Sequence, residues 1–338
     1  MKKEFLFDVE KPLGLNEFLR HALPKVLENG EASNSKIRRL IFSKNVFVQS
    51  GTGKGGDFFV CQNPSFALKK NARVKVFFDQ EKFFYQKQNG DIKFELDSSR
   101  VLYEDEWIVV VNKPPHFPTE TTFVHDRDNL RAAVVRYLHK KIGLEKNPPY
   151  CGIVHRLDRD TSGAILFSKQ RAANAALFKA FDSSGVEEGG GQGLVRGAKK
   201  NYAAICAPCP KALNKNYEKG FRFSVQNYLG RVSPKSEAAK WGPLPKEKGG
   251  KYARTDFEIL ELKDGLVFVA AELLTGRTHQ IRVHLSQSAL PILGDGLYGG
   301  KEAERIFLHS KTLELFHPIS GESLKIEAPL PPDFLDLL

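Results

Sequence analysis

Two periods of apolar residues divide this chain into a short first part and a longer second part. Between residues 15 and 29, Leu15, Phe18, Leu19, Ala22, Leu23 and Val26 recur at three- and four-residue spacing, which predicts a helix with Asn16 as its N-cap. Pro24 lies beyond the first turn, where the missing backbone donor predicts a kink. A second helix is expected over 35–43, burying Ile37, Leu40 and Ile41 while Lys36, Arg38, Arg39 and Lys44 project outward. Short β-rich runs follow at 46–48, 58–60 and 73–78. Residues 79–100 are polar and charged and read as a linker.

From residue 101 the pattern changes. Runs of strand character lie at 101–103, 107–112, 152–155, 164–168, 201–206, 254–262 and 265–273, with helices at about 128–142, 170–181 and 278–289. Strands outnumber helices, and some are joined by short turns such as Lys263-Asp264-Gly265. This predicts an α+β fold with a mixed, largely antiparallel central sheet and flanking helices, not a doubly wound parallel sheet. Two stretches break the pattern. A Gly-rich run at 183–198 reads as a surface insertion, and a Pro/Lys/Gly mixture over 207–252 as a long excursion.

Length and charge sharpen this division. A chain of 338 residues corresponds to two domains at roughly 150 residues each. We therefore expect a small basic α/β domain over 1–78, a linker over 79–100 and a larger domain over 101–338. Hydrophobic residues at 41% and charged residues at 27% fit a globular chain and exclude wholesale disorder. No run approaches the ~18 consecutive apolar residues of a membrane span, and the first residues lack the apolar core of a secretory signal. Four cysteines are too few for a disulfide scaffold and fit a reducing cytoplasm. The net charge of +11 is uneven: residues 1–78 carry 14 basic and 7 acidic side chains, so the smaller part holds most of the surplus. That distribution points to a polyanionic partner, although a lysine surplus serving only solubility would give the same totals.

The densest chemistry lies between Gly152 and Lys169. An apolar strand enters a charged turn, His155-Arg156-Leu157-Asp158-Arg159-Asp160-Thr161-Ser162-Gly163, and a second apolar strand leaves it. Asp160, Thr161, Ser162 and Gly163 suit a hairpin that satisfies its own backbone. That role leaves Arg156 and Asp158 unexplained, two apart and on the same side of an extended chain.

His155-Arg156-Leu157-Asp158 followed by Thr161-Ser162-Gly163 resembles the signature of the RluA-type pseudouridine synthases, which isomerise uridine to pseudouridine in RNA. Further elements match that family in order: Asn112-Lys113-Pro114, Lys200-Asn201-Tyr202, Gly276-Arg277-Thr278-His279-Gln280-Ile281-Arg282 and Leu308-His309-Ser310. The first part resembles, by residue pattern, an S-four-like RNA-binding domain. The resemblance implies a pseudouridine synthase fold and an isomerase that needs no cofactor. It implies RNA as partner, most naturally large-subunit ribosomal RNA with transfer RNA as the alternative, and no membrane. It makes Asp158 the catalytic carboxylate, Tyr202 a stacking platform for the base and potential proton acceptor, and Arg277 the counter-ion of Asp158. Arg156, Lys113, Lys200, Arg282 and Leu308 would meet the substrate RNA, and Lys36, Arg38 and Arg39 would contact it from the first domain. His155 is expected to be structural. The carboxylate is able to attack the ribose or the base, or to stabilise positive charge on the ribose as uracil leaves, and the sequence favours none of these.

His116-Phe117-Pro118 is bulkier than the small residue usual in that family, which would alter one pocket wall. Cys206-Ala207-Pro208-Cys209 has metal-site spacing but lacks two further ligands, and His279 and His284 are five apart with no Glu between them, so no metal is expected. Two other classes remain as rivals. One is a non-catalytic RNA-binding or ribosome-assembly protein. The other is a hydrolase pairing Asp158 with Asp160 or Asp295, as two-carboxylate glycosidases do.

Overall fold

The computed structural model describes residues 2–27, 32, 34–42, 45–49, 56–79, 92, 94–120, 128–143, 147–182, 197–209, 217–234 and 239–338. They form two compact units, one built on Met1–Asp91 and the other on Ile92–Glu120, Asp128–Ser233 and Ala239–Leu338.

The first unit contains strands β1 (Lys2–Asp8), β2 (Leu13–Gly14), β3 (Val46–Gln49), β4 (Phe58–Val60), β5 (Ala67–Leu68) and β6 (Arg73–Asp79), with helices α1 (Leu15–Ala22) and α2 (Asn34–Phe42). Its main sheet runs β1-β6-β3-β4, all antiparallel. Leu15 and Leu19 of α1, Ile37 and Ile41 of α2, and Val46, Val74 and Val76 of the sheet share one core. The first helix is shorter than its periodicity suggests, because Pro24 lies in a 3-10 turn, Leu23–Lys25, that closes it. Asn16 is not the cap. Gly14 holds that position, and the Asn16 amide donates instead to Asn34 Oδ1 (3.2 Å), tying α1 to α2. Arg38 is exposed on α2, whereas the side chains of Lys36 and Arg39 lie outside the described residues.

The second unit contains β7 (Val101–Glu104), β8 (Ile108–Lys113), α3 (Leu130–Ile142), β9 (Gly152–Ile153), β10 (Ser162–Ser168), α4 (Asn174–Phe181), β11 (Lys199–Cys206), β12 (Arg222–Arg231), β13 (Trp241–Pro243), β14 (Lys251–Lys263), β15 (Leu266–Leu273), α5 (Gln280–Gln287), β16 (Leu308–Phe316), β17 (Ser323–Glu327) and α6 (Pro332–Leu335). Its strands join in one sheet, β13-β12-β14-β15-β11-β16-β10-β8-β7, with β9 on β10 and β17 on β16. Neighbours are antiparallel except β10 and β16, which run parallel where Ser162 faces His309 and Gly163 faces Ser310. The mixed, largely antiparallel α+β fold read from the sequence is therefore the observed one.

Helices on both faces explain the unbroken apolar runs of the central strands. Val109, Val111, Ile165 and Phe167 pack with Leu130, Val134 and Leu138 of α3. Their alternating neighbours Ile108, Val110, Ala164 and Leu166 pack with Leu177 of α4 on the opposite face. Two boundaries differ from expectation. Leu96 is buried in the larger core and Phe94 packs against Phe117 (5.2 Å between rings), so the second unit already includes the end of the stretch read as a linker. The supposed excursion at 207–252 carries β12 and β13. Its alternation of apolar Phe223 and Val225 with polar residues marks a half-exposed strand, which a search for buried runs passes over. The Gly-rich 183–198 lies, apart from residues 197 and 198, outside the described residues.

Candidate active site

Asp158 sits in the turn between β9 and β10, over the parallel junction of β10 and β16. The junction demands a glycine. Gly163 has φ +109, and a Cβ there would stand 2.2 Å from the Ser310 carbonyl oxygen. Beyond β16 comes β11, whose Tyr202 faces Ser310. The register thus sets Tyr202, in the middle of β11, opposite the same Ser310 that faces Gly163 at the start of β10.

The Asp158 turn is clamped from below. Lys113, at the end of β8, is fully buried, and its Nζ donates to the carbonyls of Pro114 (2.9 Å), Arg159 (2.7 Å) and Thr161 (2.7 Å). Three acceptors match the three N–H bonds of an ammonium. Burial presses the Lys113 pKa down to about 7, and the charges of Asp160 and Asp158 resist the shift. Beside it, the Phe117 amide donates to Arg159, Thr119 Oγ1 donates to the Leu157 carbonyl (2.8 Å), and His116 Nδ1 meets Asp160 Oδ1 (3.0 Å). The bulky His116-Phe117 pair therefore fastens the turn. Lys113 was expected to meet the RNA, but none of its surface reaches solvent and its ammonium holds the turn instead.

The carboxylate of Asp158 is partly exposed, 28%, on a cleft of 510 Å³ also lined by His116, Arg159, His279, Arg282 and Arg305. That volume is within the usual range of small-molecule sites. Its Oδ2 lies 3.6 Å from Arg282 Nη1 and 3.8 Å from His279 Nε2. Arg282 is itself gripped by Asp295, with Nε to Oδ2 at 2.7 Å and Nη2 to Oδ1 at 2.8 Å, and lies over the Tyr298 ring at 5.1 Å. Burial opposes its charge, but the Asp295 carboxylate more than compensates and the Arg282 pKa is raised. A fixed cation thus stands against Asp158, and a bidentate fork holds it in place.

This cation is not Arg277. The Arg277 Nε donates to the Tyr252 carbonyl (2.8 Å); burial lowers its pKa, and the acid that partly opposes this is Asp182, not Asp158. The reason is helical geometry. Arg282 lies in the first turn of α5, which His279 precedes as the capping residue, whereas Arg277 lies two residues before that cap. The sequence signal was available in the expected helix at 278–289.

The remaining site residues divide. Tyr202 is buried and is not among the residues lining the cleft; burial, and then the charge of Asp158, raises its pKa despite a hydrogen bond with Ser310, so it stays a neutral phenol. Lys200 is also buried, its pKa lowered to about 8 by desolvation and by the Arg277 cation. Leu308 lies in the core, paired with Ala204, and offers no surface to RNA. Arg156 is well exposed and bonds Glu120 (2.6 Å). His155 is structural: its Nε2 accepts from the Leu166 amide (3.0 Å), its ring stacks on Phe181 at 4.3 Å, and burial pushes its pKa down to about 3. Sequence reasoning placed His116 at the pocket wall but assigned no site role to His279, Tyr298 or Arg305. His116 and His279 are non-glycine residues with φ of 58 and 57, and both line the cleft. Side chains in that left-handed region cluster at functional sites.

Residues 107–287 match the family model described as RNA pseudouridylate synthase. An uncharacterized RNA pseudouridine synthase of Bacillus subtilis is 34% identical over 72% of this chain and 71% of its own length. Ribosomal large subunit pseudouridine synthase C of Escherichia coli is 32% identical over 68% of this chain and 66% of its own. Among solved structures, Human RNA Pseudouridylate Synthase Domain Containing 1 aligns at a TM-score of 0.51 with 25% identity, covering 70% of this chain and 87% of that one.

Proposed function

The chain belongs to the RNA pseudouridylate synthase family, and from that premise we propose that Asp158 is the carboxylate with which it isomerises a uridine of large-subunit ribosomal RNA. One observation carries the reading: a partly exposed carboxylate in a cleft, with the immobilised cation of Arg282 3.6 Å from one of its oxygens. The reaction detaches uracil from nitrogen 1, turns the base and rejoins it through carbon 5. Nothing is oxidised, and the chain mass does not change. An ionised carboxylate is needed throughout, and Arg282 keeps it ionised when a base closes the cleft and removes water. Tyr202, a neutral phenol whose titration feels the Asp158 charge, would supply a flat wall for an everted base, and its raised pKa argues against a role as proton acceptor.

Ribosomal RNA is favoured because a relative over two thirds of this chain carries that substrate in its name. Arg156, two residues from Asp158 and exposed, would exchange Glu120 for an RNA phosphate. The basic first unit, Met1–Asp91, would add affinity through Arg38 together with Lys36 and Arg39. The hydrolase reading is weakened by both candidate partner carboxylates. Asp295 is committed to Arg282, and Asp160 to His116 and Arg159. Mapping pseudouridine in ribosomal and transfer RNA from cells with and without the gene tests the proposal. Loss of a large-subunit site is expected, restored by the wild-type chain and not by Asp158→Asn. Loss confined to transfer RNA would overturn the substrate, and release of free uracil would overturn the reaction.

A further inference from the structure

A chain of hydrogen bonds fixes where the proton of His279 sits. The Trp241 backbone N–H donates to Tyr298 Oη (2.9 Å), and a backbone amide is only ever a donor. Tyr298 is buried, so its hydroxyl proton requires an acceptor. Among the described residues that acceptor is His279 Nδ1, 2.9 Å away, with the two rings edge to face. Nδ1 therefore presents its lone pair. The single proton of the neutral imidazole is on Nε2, the atom 3.8 Å from Asp158 Oδ2.

We propose that His279 is a positioning residue for Asp158, acting as a neutral imidazole whose Nε2 proton is directed at the carboxylate by Tyr298 and the Trp241 backbone. This rests on the reading of Asp158 as the catalytic carboxylate. His279 Nε2 and Arg282 Nη1 both approach the same oxygen, Oδ2. At 3.8 Å the His279 contact is a dipole facing a charge, and such contacts tighten when substrate fills a site. An imidazolium could not accept the Tyr298 proton, so the relay holds the ring neutral. Burial works the same way, partly opposed by Asp158, with Arg282, Asp295 and Asp160 the other charges facing the ring. The left-handed backbone of His279, φ 57, is the strain that aims the ring both ways at once.

The experiment is a long-range proton–nitrogen correlation spectrum of the imidazoles in the full-length protein, joined to kinetics on RNA. The wild type is expected to show an unprotonated Nδ1 and a protonated Nε2 at pH 7. In Tyr298→Phe the Nδ1 signal should move towards the protonated range, because its donor is gone. His279→Ala should lower kcat by about tenfold with KM nearly unchanged, and His279→Gln, whose amide keeps an N–H for Asp158, should recover most of that loss. A protonated Nδ1 in the wild type, or equal kcat loss in the Gln and Ala variants, overturns the inference. Activity retained by Asp158→Ala would instead overturn the reading beneath it and leave the tautomer standing.

Discussion

Arg282 and Arg277 show at the scale of single residues what separates a charged neighbour from a counter-ion. Both belong to the same motif-bearing segment, but Arg282 has the Asp295 carboxylate to fix its guanidinium and its Nη1 turned towards Asp158, whereas the Arg277 Nε is bound to the Tyr252 carbonyl. Arg282→Gln should therefore lower kcat by roughly a hundredfold or more, and Arg277→Gln by less than about tenfold, in single-turnover assays. Equal losses would contradict the assignment. Lys113 makes a separate prediction. Lys113→Met leaves three internal carbonyls without their donor and should cost roughly 3 kcal/mol or more in denaturant unfolding. Its folded pKa, about 7, lies below that of an unfolded lysine, so the unfolded chain holds more protons between about 7 and ~10.4. This group's contribution to stability consequently rises with pH across that window. Activity should move the opposite way, since deprotonation removes one of the donors clamping the Asp158 turn. A pH series of melting temperature and kcat on the wild type and Lys113→Met would resolve the two trends. The residue roles were only half legible in the sequence. Asp158 and Tyr202 stand out by their motifs, but whether a lysine faces RNA or three carbonyls depends on burial that no spacing encodes.

At the scale of elements, the sequence displays the strands whose two faces are both covered and conceals those that are half exposed or polar inside. The runs that became β8, β10 and β15 are largely continuous and that of β14 alternates as far as Ile259, whereas β12 is half exposed and β16 buries His309, Ser310 and Thr312. Two of these side chains reach across to β10: His309 Nδ1 meets Ser162 Oγ (2.8 Å) and Ser310 Oγ donates to the Ala164 carbonyl (3.0 Å). The parallel contact between β10 and β16 is thus fixed by polar pairing and by Gly163. Gly163→Ala would force both a left-handed alanine and a clash with the Ser310 carbonyl. It should destabilise the fold by several kcal/mol, about 2 to 4 by analogy with other strained backbone sites, and move the Asp158 turn. A folded Gly163→Ala protein with wild-type kcat would show that the site does not depend on this junction.

For the molecule as a whole, the charge asymmetry between its two parts has a thermodynamic consequence. Each lysine or arginine that replaces a counterion on RNA steepens the salt dependence of binding. Replacing Lys36, Arg38 and Arg39 together by alanine should weaken RNA binding at ~150 mM salt and flatten the slope of log K against log salt by about three. The rate of the chemical step on saturating RNA should be unaffected. An unchanged slope would remove the first unit from the substrate interface. The central claim remains the role of Asp158, and tritium release from RNA carrying uridine labelled at carbon 5 addresses it most directly. The account predicts release by the wild type and none by Asp158→Ala, with RNA binding retained by the variant; appreciable release by Asp158→Ala would contradict it.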